Sequence, residues 1–176
     1  MSGSRRRAVG VTTDASRILV RRAAAKDLDA VIELRLALLR EHPDHPIYGR
    51  LRPDVTVRAR DLFATQLRSP NESILLADRA GVVAGILRCV ESHGSPLLDP
   101  LRYAYVSSVY VRPELRRCGV LRALLRAAEQ WARTRGLDEM RLHNVIGSAS
   151  AEGAWSALGF EVVEQVRLRR FAEQTF

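Results

Sequence analysis

Apolar positions along this chain switch between two rhythms. Leu28, Val31, Ile32, Leu38 and Leu39 recur at helical spacing, with Arg35 on the same stripe, so a helix is expected over 28–41 with Asp27 at its N-cap. The run His42–Gly49 (HPDHPIYG) breaks it with two prolines. A second helix is expected over 54–68, ending before Ser69-Pro70-Asn71. Residues 115–135 carry the clearest helical pattern, with Leu121, Leu124, Leu125, Ala128, Trp131 and Ala132 on one face and Gly136 as C-cap. A short helix over 148–158 closes at Gly159. Elsewhere the rhythm is that of strands: Ile18–Ala23, Ser73–Asp78, Val82–Glu91, Tyr103–Val111, Glu139–Val145 and an alternating Phe160–Phe171, read as one bent strand or two short ones. Arg79, Ala80 and Gly81 link two of them as a hairpin, and a polar loop fills 92–102. Strand, helix and strand across 103–145 imply a right-handed crossover between parallel strands.

Composition narrows the class. The 176 residues are 47% hydrophobic and 27% charged, ordinary for a globular domain, and no apolar run approaches a membrane span. No secretory signal pattern opens the chain, and Cys89 and Cys118 stand apart from each other and from any Cys/His cluster. The expectation is a cytoplasmic protein with reduced thiols and no metal site. Of the net charge of +8, residues 1–22 supply +5, from six arginines against Asp14. Residues 1–17 read as a basic, disordered, solvated tail ahead of one domain over 18–176, and nucleic acid is not expected as a partner. Lys26 is the only lysine among the 28 basic residues, a skew that reads as GC-rich codon bias.

The stretch Arg116-Arg117-Cys118-Gly119 opens the best helix. A helix N-terminus presents unpaired amides and a partial positive charge, and glycine lets a ligand approach the backbone. Neither the dinucleotide glycine pattern nor the Gly-Lys-Ser/Thr phosphate loop is present.

These residues carry a resemblance. Val111-Arg112-Pro113 followed by Arg116-Arg117-Cys118-Gly119-Val120-Leu121 is similar to the signature of the GNAT superfamily of acyl-CoA-dependent N-acetyltransferases. Trp155, Leu158, Gly159 and Phe160, the Ile18–Leu34 start and Gly85 in VVAGIL also resemble that family, over about residues 18–171. The resemblance implies an α/β fold with a central mixed sheet of six or seven strands and about four helices. The parallel strands 103–111 and 139–145 would splay around the thioester. It implies acetyl-CoA as co-substrate, with Val109, Tyr110 and Val111 lending backbone groups to the pantetheine arm. Arg116, Arg117, Cys118, Gly119, Val120, Leu121 and Arg122 would hold the pyrophosphate. Leu121 replaces the family's glycine or alanine, and its place on the apolar face lets its side chain turn into the core.

Where the family often has a glutamate or histidine base, this chain has Tyr105 and Ser107, and where it has a tyrosine acid, Trp155. Neither Tyr105 nor Ser107 is a base at its ordinary pKa, and an indole N–H gives up no proton. His143, Glu91, Tyr103 and Tyr110 are the substitutes, and Tyr105, Ser107 and His143 are the catalytic candidates. The expected reaction is direct acetyl transfer to a primary amine, of a small molecule or a protein, in a ternary complex. The alternative is a non-catalytic acyl-CoA-binding module. His42, Asp44, His45 and Tyr48 occupy the loop that shapes acceptor choice in the family. A homodimer is allowed for, because the short C-terminus would need a partner strand to finish the sheet.

Overall fold

A computed structural model of the chain describes residues 17–145 and 149–171. They fall into two compact units, divided between His143 and Asn144. The expected tail over 1–17 lies outside the described residues except for Arg17, as does Ser148 at the start of the expected last helix.

The first unit holds a mixed sheet of five strands in the order β1-β2-β3-β4-β5: β1 (Ile18–Arg22), β2 (Glu72–Arg79), β3 (Val82–His93), β4 (Arg102–Val111) and β5 (Met140–Leu142). The first three pairings are antiparallel, and β4 with β5 is parallel. The hairpin β2–β3 turns on Ala80 and Gly81, both at positive φ (51° and 79°), the geometry whose twist matches the flanking strands. Helices α1 (Leu28–Arg40) and α2 (Val55–Gln66) cover one face of the sheet, where Val31, Ile32, Leu34, Leu36, Ala59 and Phe63 form a core with Ile74, Leu76, Ile86 and Tyr110. Leu34 and Leu36 join this core because α2 packs beside α1, so α1 is buried over more than one stripe. Helix α3 (Val120–Arg133) is the crossover from β4 to β5; Ala132 and Leu137 pack against Ala104. Gly136, at φ 67°, ends it as expected, and the Leu137 amide returns to the Ala132 carbonyl at 3.1 Å.

The architecture is the expected mixed α/β sheet with four helices, and several details differ. Among the described residues five strands form rather than six or seven. The alternating residues 161–171 make no strand and are exposed, since alternation produces a strand only where a neighbouring edge accepts its hydrogen bonds. β5 is three residues long instead of the seven expected over 139–145. α3 starts at Val120, not at residue 115: Pro113–Leu115 is a 3₁₀ turn, and residues 116–119 form a further turn. Val120 therefore joins Leu124, Leu125, Ala128 and Ala132 in the core, while Leu121 is half-buried.

Asp27 does not cap α1 with its side chain. A 3₁₀ turn over Ala25–Asp27 precedes the helix, so the amide left unpaired is that of Ala24, and the Asp27 carboxylate accepts from it at 2.8 Å. The same carboxylate takes Arg21 at 2.8 and 3.0 Å, and Arg21 also donates to Asp78 at 2.7 Å, tying β1 to both β2 and the start of α1.

The second unit contains α4 (Ala149–Ser156), closed by Gly159 at φ 86°, with the Phe160 amide on the Trp155 carbonyl at 3.1 Å. The Trp155 and Phe160 rings meet edge-on, 5.4 Å between centroids.

The Arg21 guanidinium holds the buried Asp27 carboxyl below the ordinary carboxylate range, against the opposing effect of burial. A depressed folded-state pKa contributes stability above the unfolded value, and that contribution disappears as pH falls through about 4 and below. Asp27→Asn is expected to cost about 2 kcal/mol at pH 7, because it removes the charge from the bidentate pair with Arg21 and leaves Arg21 only the Asp78 carboxylate. Urea denaturation should show the cost at pH 7 and a smaller difference from the parent near pH 3.

Candidate active site

β4 is hydrogen-bonded on both edges over only a short length. Its parallel pairing to β5 runs from Ala104–Met140 to Val106–Leu142 and stops. From Ser107 onward, the β5-side edge of β4 has no strand partner among the described residues, so its peptide groups are open to an extended ligand. On the other edge a bulge falls between Ser107 and Tyr110, where the register to β3 slips by one residue and Ser108 takes φ 53°. The extra residue turns Tyr110 onto the same face as Tyr105 and Ser107, where it joins the α1 core; strict alternation would have sent it to the α3 side.

The polar side chains of that face form two groups. The Tyr105 hydroxyl lies 3.1 Å from His143 Nδ1, with the rings edge-on at 5.5 Å between centroids. His143 follows directly after the last residue of β5, so the phenol–imidazole pair stands at the point where the two strands part. Burial raises the Tyr105 pKa, with the Tyr48 and Tyr103 phenols adding to the shift, so the group stays a neutral phenol at neutral pH. Ser107 belongs to the other group. Its hydroxyl accepts from Arg88 Nη1 at 3.2 Å, and Arg88 is paired with Glu72 at 2.6 Å.

The remaining candidates are occupied by other partners. Glu91 is ion-paired with Arg102 at 2.7 Å and Arg135 at 3.2 Å, and Arg102 holds its carboxyl below the usual range. The Tyr103 ring carries the Arg141 guanidinium at 4.0 Å, and Tyr110 is buried beneath Arg116. Burial pushes the Cys89 thiol up to about 12, which keeps it from acting as a thiolate nucleophile. Cys118 is exposed, in the turn before α3.

That turn is held from below. Arg112 donates to the Val83 carbonyl at 2.8 Å and pairs with Glu33 at 2.7 Å. Arg116 donates to the Val111 carbonyl at 3.0 Å and pairs with Glu41, so its side chain fastens the end of β4 to the end of α1. Arg117 (φ 60°) and Gly119 (φ 86°) both adopt left-handed backbone. Arg117, Cys118, Gly119 and Arg122 are exposed. The helix's own bonds begin with the Ala123 amide on the Gly119 carbonyl at 3.0 Å. The amides of Val120, Leu121 and Arg122 consequently have no intrahelical acceptor, and with the helix dipole behind them they suit an anion. Gly85 makes the arrangement compact: a Cβ there would lie 2.7 Å from the Tyr110 carbonyl oxygen and 3.2 Å from Val120 Cγ1.

Sequence reasoning did not single out the Arg88–Glu72 pair, the bulge at Ser108 or Arg35 as site features. Two signals were available. Arg88 interrupts an apolar strand, and Arg35 lies within an apolar helical stripe.

Comparison with known proteins agrees with the geometry. Residues 33–160 match the acetyltransferase (GNAT) family, and the chain belongs to it. Over 67 residues it is 42% identical to an aminoglycoside N(6')-acetyltransferase type 1 of Klebsiella aerogenes, a stretch taking in 38% of this chain and 44% of that relative's length. Among solved structures, a predicted acetyltransferase of Clostridium acetobutylicum with acetyl-CoA superposes with a TM-score of 0.71 at 17% identity, over 87% of this chain and 96% of that one. An aminoglycoside 6'-N-acetyltransferase of Acinetobacter haemolyticus superposes with a TM-score of 0.70 at 20% identity, over 89% of this chain and 99% of that one. At these identities the two structures are alike in fold. No helix among the described residues is long and apolar enough to cross a membrane.

The left-handed backbone at Gly119 makes that position sensitive to substitution. Gly119→Ala is expected to cost about 1–2 kcal/mol of stability, and Gly119→Asn clearly less, because a short polar side chain tolerates that conformation. Chemical denaturation of the two variants side by side measures the difference.

Proposed function

We propose that this acetyltransferase moves an acetyl group from acetyl-CoA to the primary amine of a small molecule, by direct attack in a ternary complex. The observation that carries the reading is the Tyr105–His143 contact at the point where β4 and β5 part. The open edge of β4 at Val109, Tyr110 and Val111 suits the amide-bearing pantetheine arm. The first-turn amides of α3, with Arg117 and Arg122 beside them, suit the pyrophosphate. The named relative acts on aminoglycosides, and its partial match favours a small-molecule amine over a protein one.

An alkylamine is almost wholly protonated at neutral pH, so the site must take up a proton. Tyr105 stays a phenol and therefore relays instead of acting as the base. The ammonium gives its first proton to solvent, and the resulting neutral amine attacks the thioester carbonyl. The C–N bond forms, the C–S bond breaks and CoA leaves as a thiolate, to be protonated from solvent. The proton released by nitrogen passes to Tyr105 Oη while the phenol hands its own proton to His143 Nδ1. Ser107, held by Arg88, has no proton to accept and serves to position. With Cys89 held as a thiol and Cys118 outside the strand gap, direct transfer is favoured over an acyl-enzyme.

CoA release across a panel of amines tests the reading. Tyr105→Phe should lower kcat about 100-fold, the scale of a lost proton-transfer group, with the KM for acetyl-CoA little changed. His143→Ala should lower kcat comparably. A Tyr105→Phe enzyme as fast as the parent would rule out the relay. Acetyl-CoA binding with no turnover of any amine would leave an acyl-CoA-binding module.

A further inference from the structure

We propose that Arg35 is a receptor for a carboxylate on the acceptor, so that the enzyme acetylates amines that also carry an acid group. This rests on the acetyl-transfer reading above and names its substrate class.

Arg35 stands on α1 between Val31 and Ile32 on one side and Leu38 and Leu39 on the other, where the helix packs against β3 and β4. It is half-buried, and its guanidinium lies within charge-interaction range of Tyr48, Arg88 and Tyr105. It thus shares a space with the phenol of the proposed relay. Among the described residues no hydrogen bond or ion pair holds it. Most other half-buried arginines are paired: Arg21 has Asp27 and Asp78, Arg88 has Glu72, Arg112 has Glu33 and Arg135 has Glu91, while Arg79, at the end of β2, is away from the relay. Arg88, the nearest other cation, is therefore already neutralised, and the uncompensated charge of the cluster is that of Arg35. Burial lowers its pKa, so the charged form is less well solvated there than at the open surface.

A desolvated, unpaired guanidinium is costly, and a carboxylate that binds it through two parallel hydrogen bonds recovers that cost. An acceptor that carries both an amine and such a carboxylate presents the amine to Tyr105 and the carboxylate to Arg35, which interacts with Tyr105 through space. A polycationic acceptor meets like charge at Arg35 instead.

The test compares the common amino acids and short ω-amino acids with their carboxamides, using acetyl-CoA and the full chain. An acid acceptor is expected to exceed its carboxamide in kcat/KM by about 100-fold, the scale of one truncated, desolvated charge pair. Arg35→Met should abolish that ratio by slowing the acid alone, with acetyl-CoA binding unchanged. Arg35→Lys should restore part of it. Because Met keeps the apolar stem and removes an unpaired cation, its Tm should equal or exceed the parent's, and a Tm several degrees lower would show that Arg35 holds the fold. Calorimetry of the N-acetyl acids against their amides, with CoA present, reads the receptor without turnover. Acids that bind through Arg35 while no amine is acetylated would sink the transfer reading and keep the receptor. Equal binding of acids and amides, or a polycationic aminoglycoside acetylated better than every acid, would overturn the receptor.

Discussion

A strand paired on both edges has no backbone hydrogen bonds left to offer a ligand. β4 is paired on both edges only from Ala104 to Val106, and the candidate site lies where it is released beyond that point. Past Val106 the β5 side opens, and past Ser107 the bulge shifts the β3 side by one residue. The first change frees the peptide groups that suit a pantetheine arm. The second places Tyr110 in the α1 core, which anchors the freed end of the strand from beneath. A strand that kept its ladder on both edges would be more regular and would have no site.

The charged groups hold this opening in place. Arg112 and Arg116 fix the end of β4 to Glu33 and Glu41 on and just after α1, and they reach the Val83 and Val111 carbonyls as well. Exposed ion pairs each contribute about 0–1 kcal/mol, so their worth here is geometric: they set the turn ahead of α3 and the height of α1 over the sheet. The arginines of the signature divide accordingly. Arg116, though exposed, fastens the turn through Glu41 and the Val111 carbonyl, while Arg117 and Arg122 lie exposed beside the first-turn amides.

Helix α3 reaches its position through two close approaches. Gly85 admits the Tyr110 carbonyl and Val120 where a methyl group would collide. Gly119 takes a left-handed conformation that lets the chain change direction within one residue, with its Cα side against Ile18 of β1. Both glycines serve the same junction from opposite sides, one within β3 and one ahead of α3.

Much of this was legible in the sequence. The helical periods of α1 and α3, the hairpin at Ala80-Gly81, the cap at Gly136 and the family signature at residues 111–121 are local patterns, set by neighbours in the chain, and they were legible together with the family. The pairing of Tyr105 with His143 was not legible as a contact, because 38 residues separate them and only the parallel register of β4 with β5 brings them together. The same holds for Asp27, whose spacing marks a helix cap but whose carboxylate is claimed by Arg21 and the Ala24 amide once β1 lies beside β2. The alternation over 160–171 announces a strand, yet a strand exists only where an edge receives it. Arg35 shows the limit most clearly: an arginine in an apolar stripe is visible in the sequence, but whether a carboxylate meets it depends on which side chains the tertiary packing turns toward it.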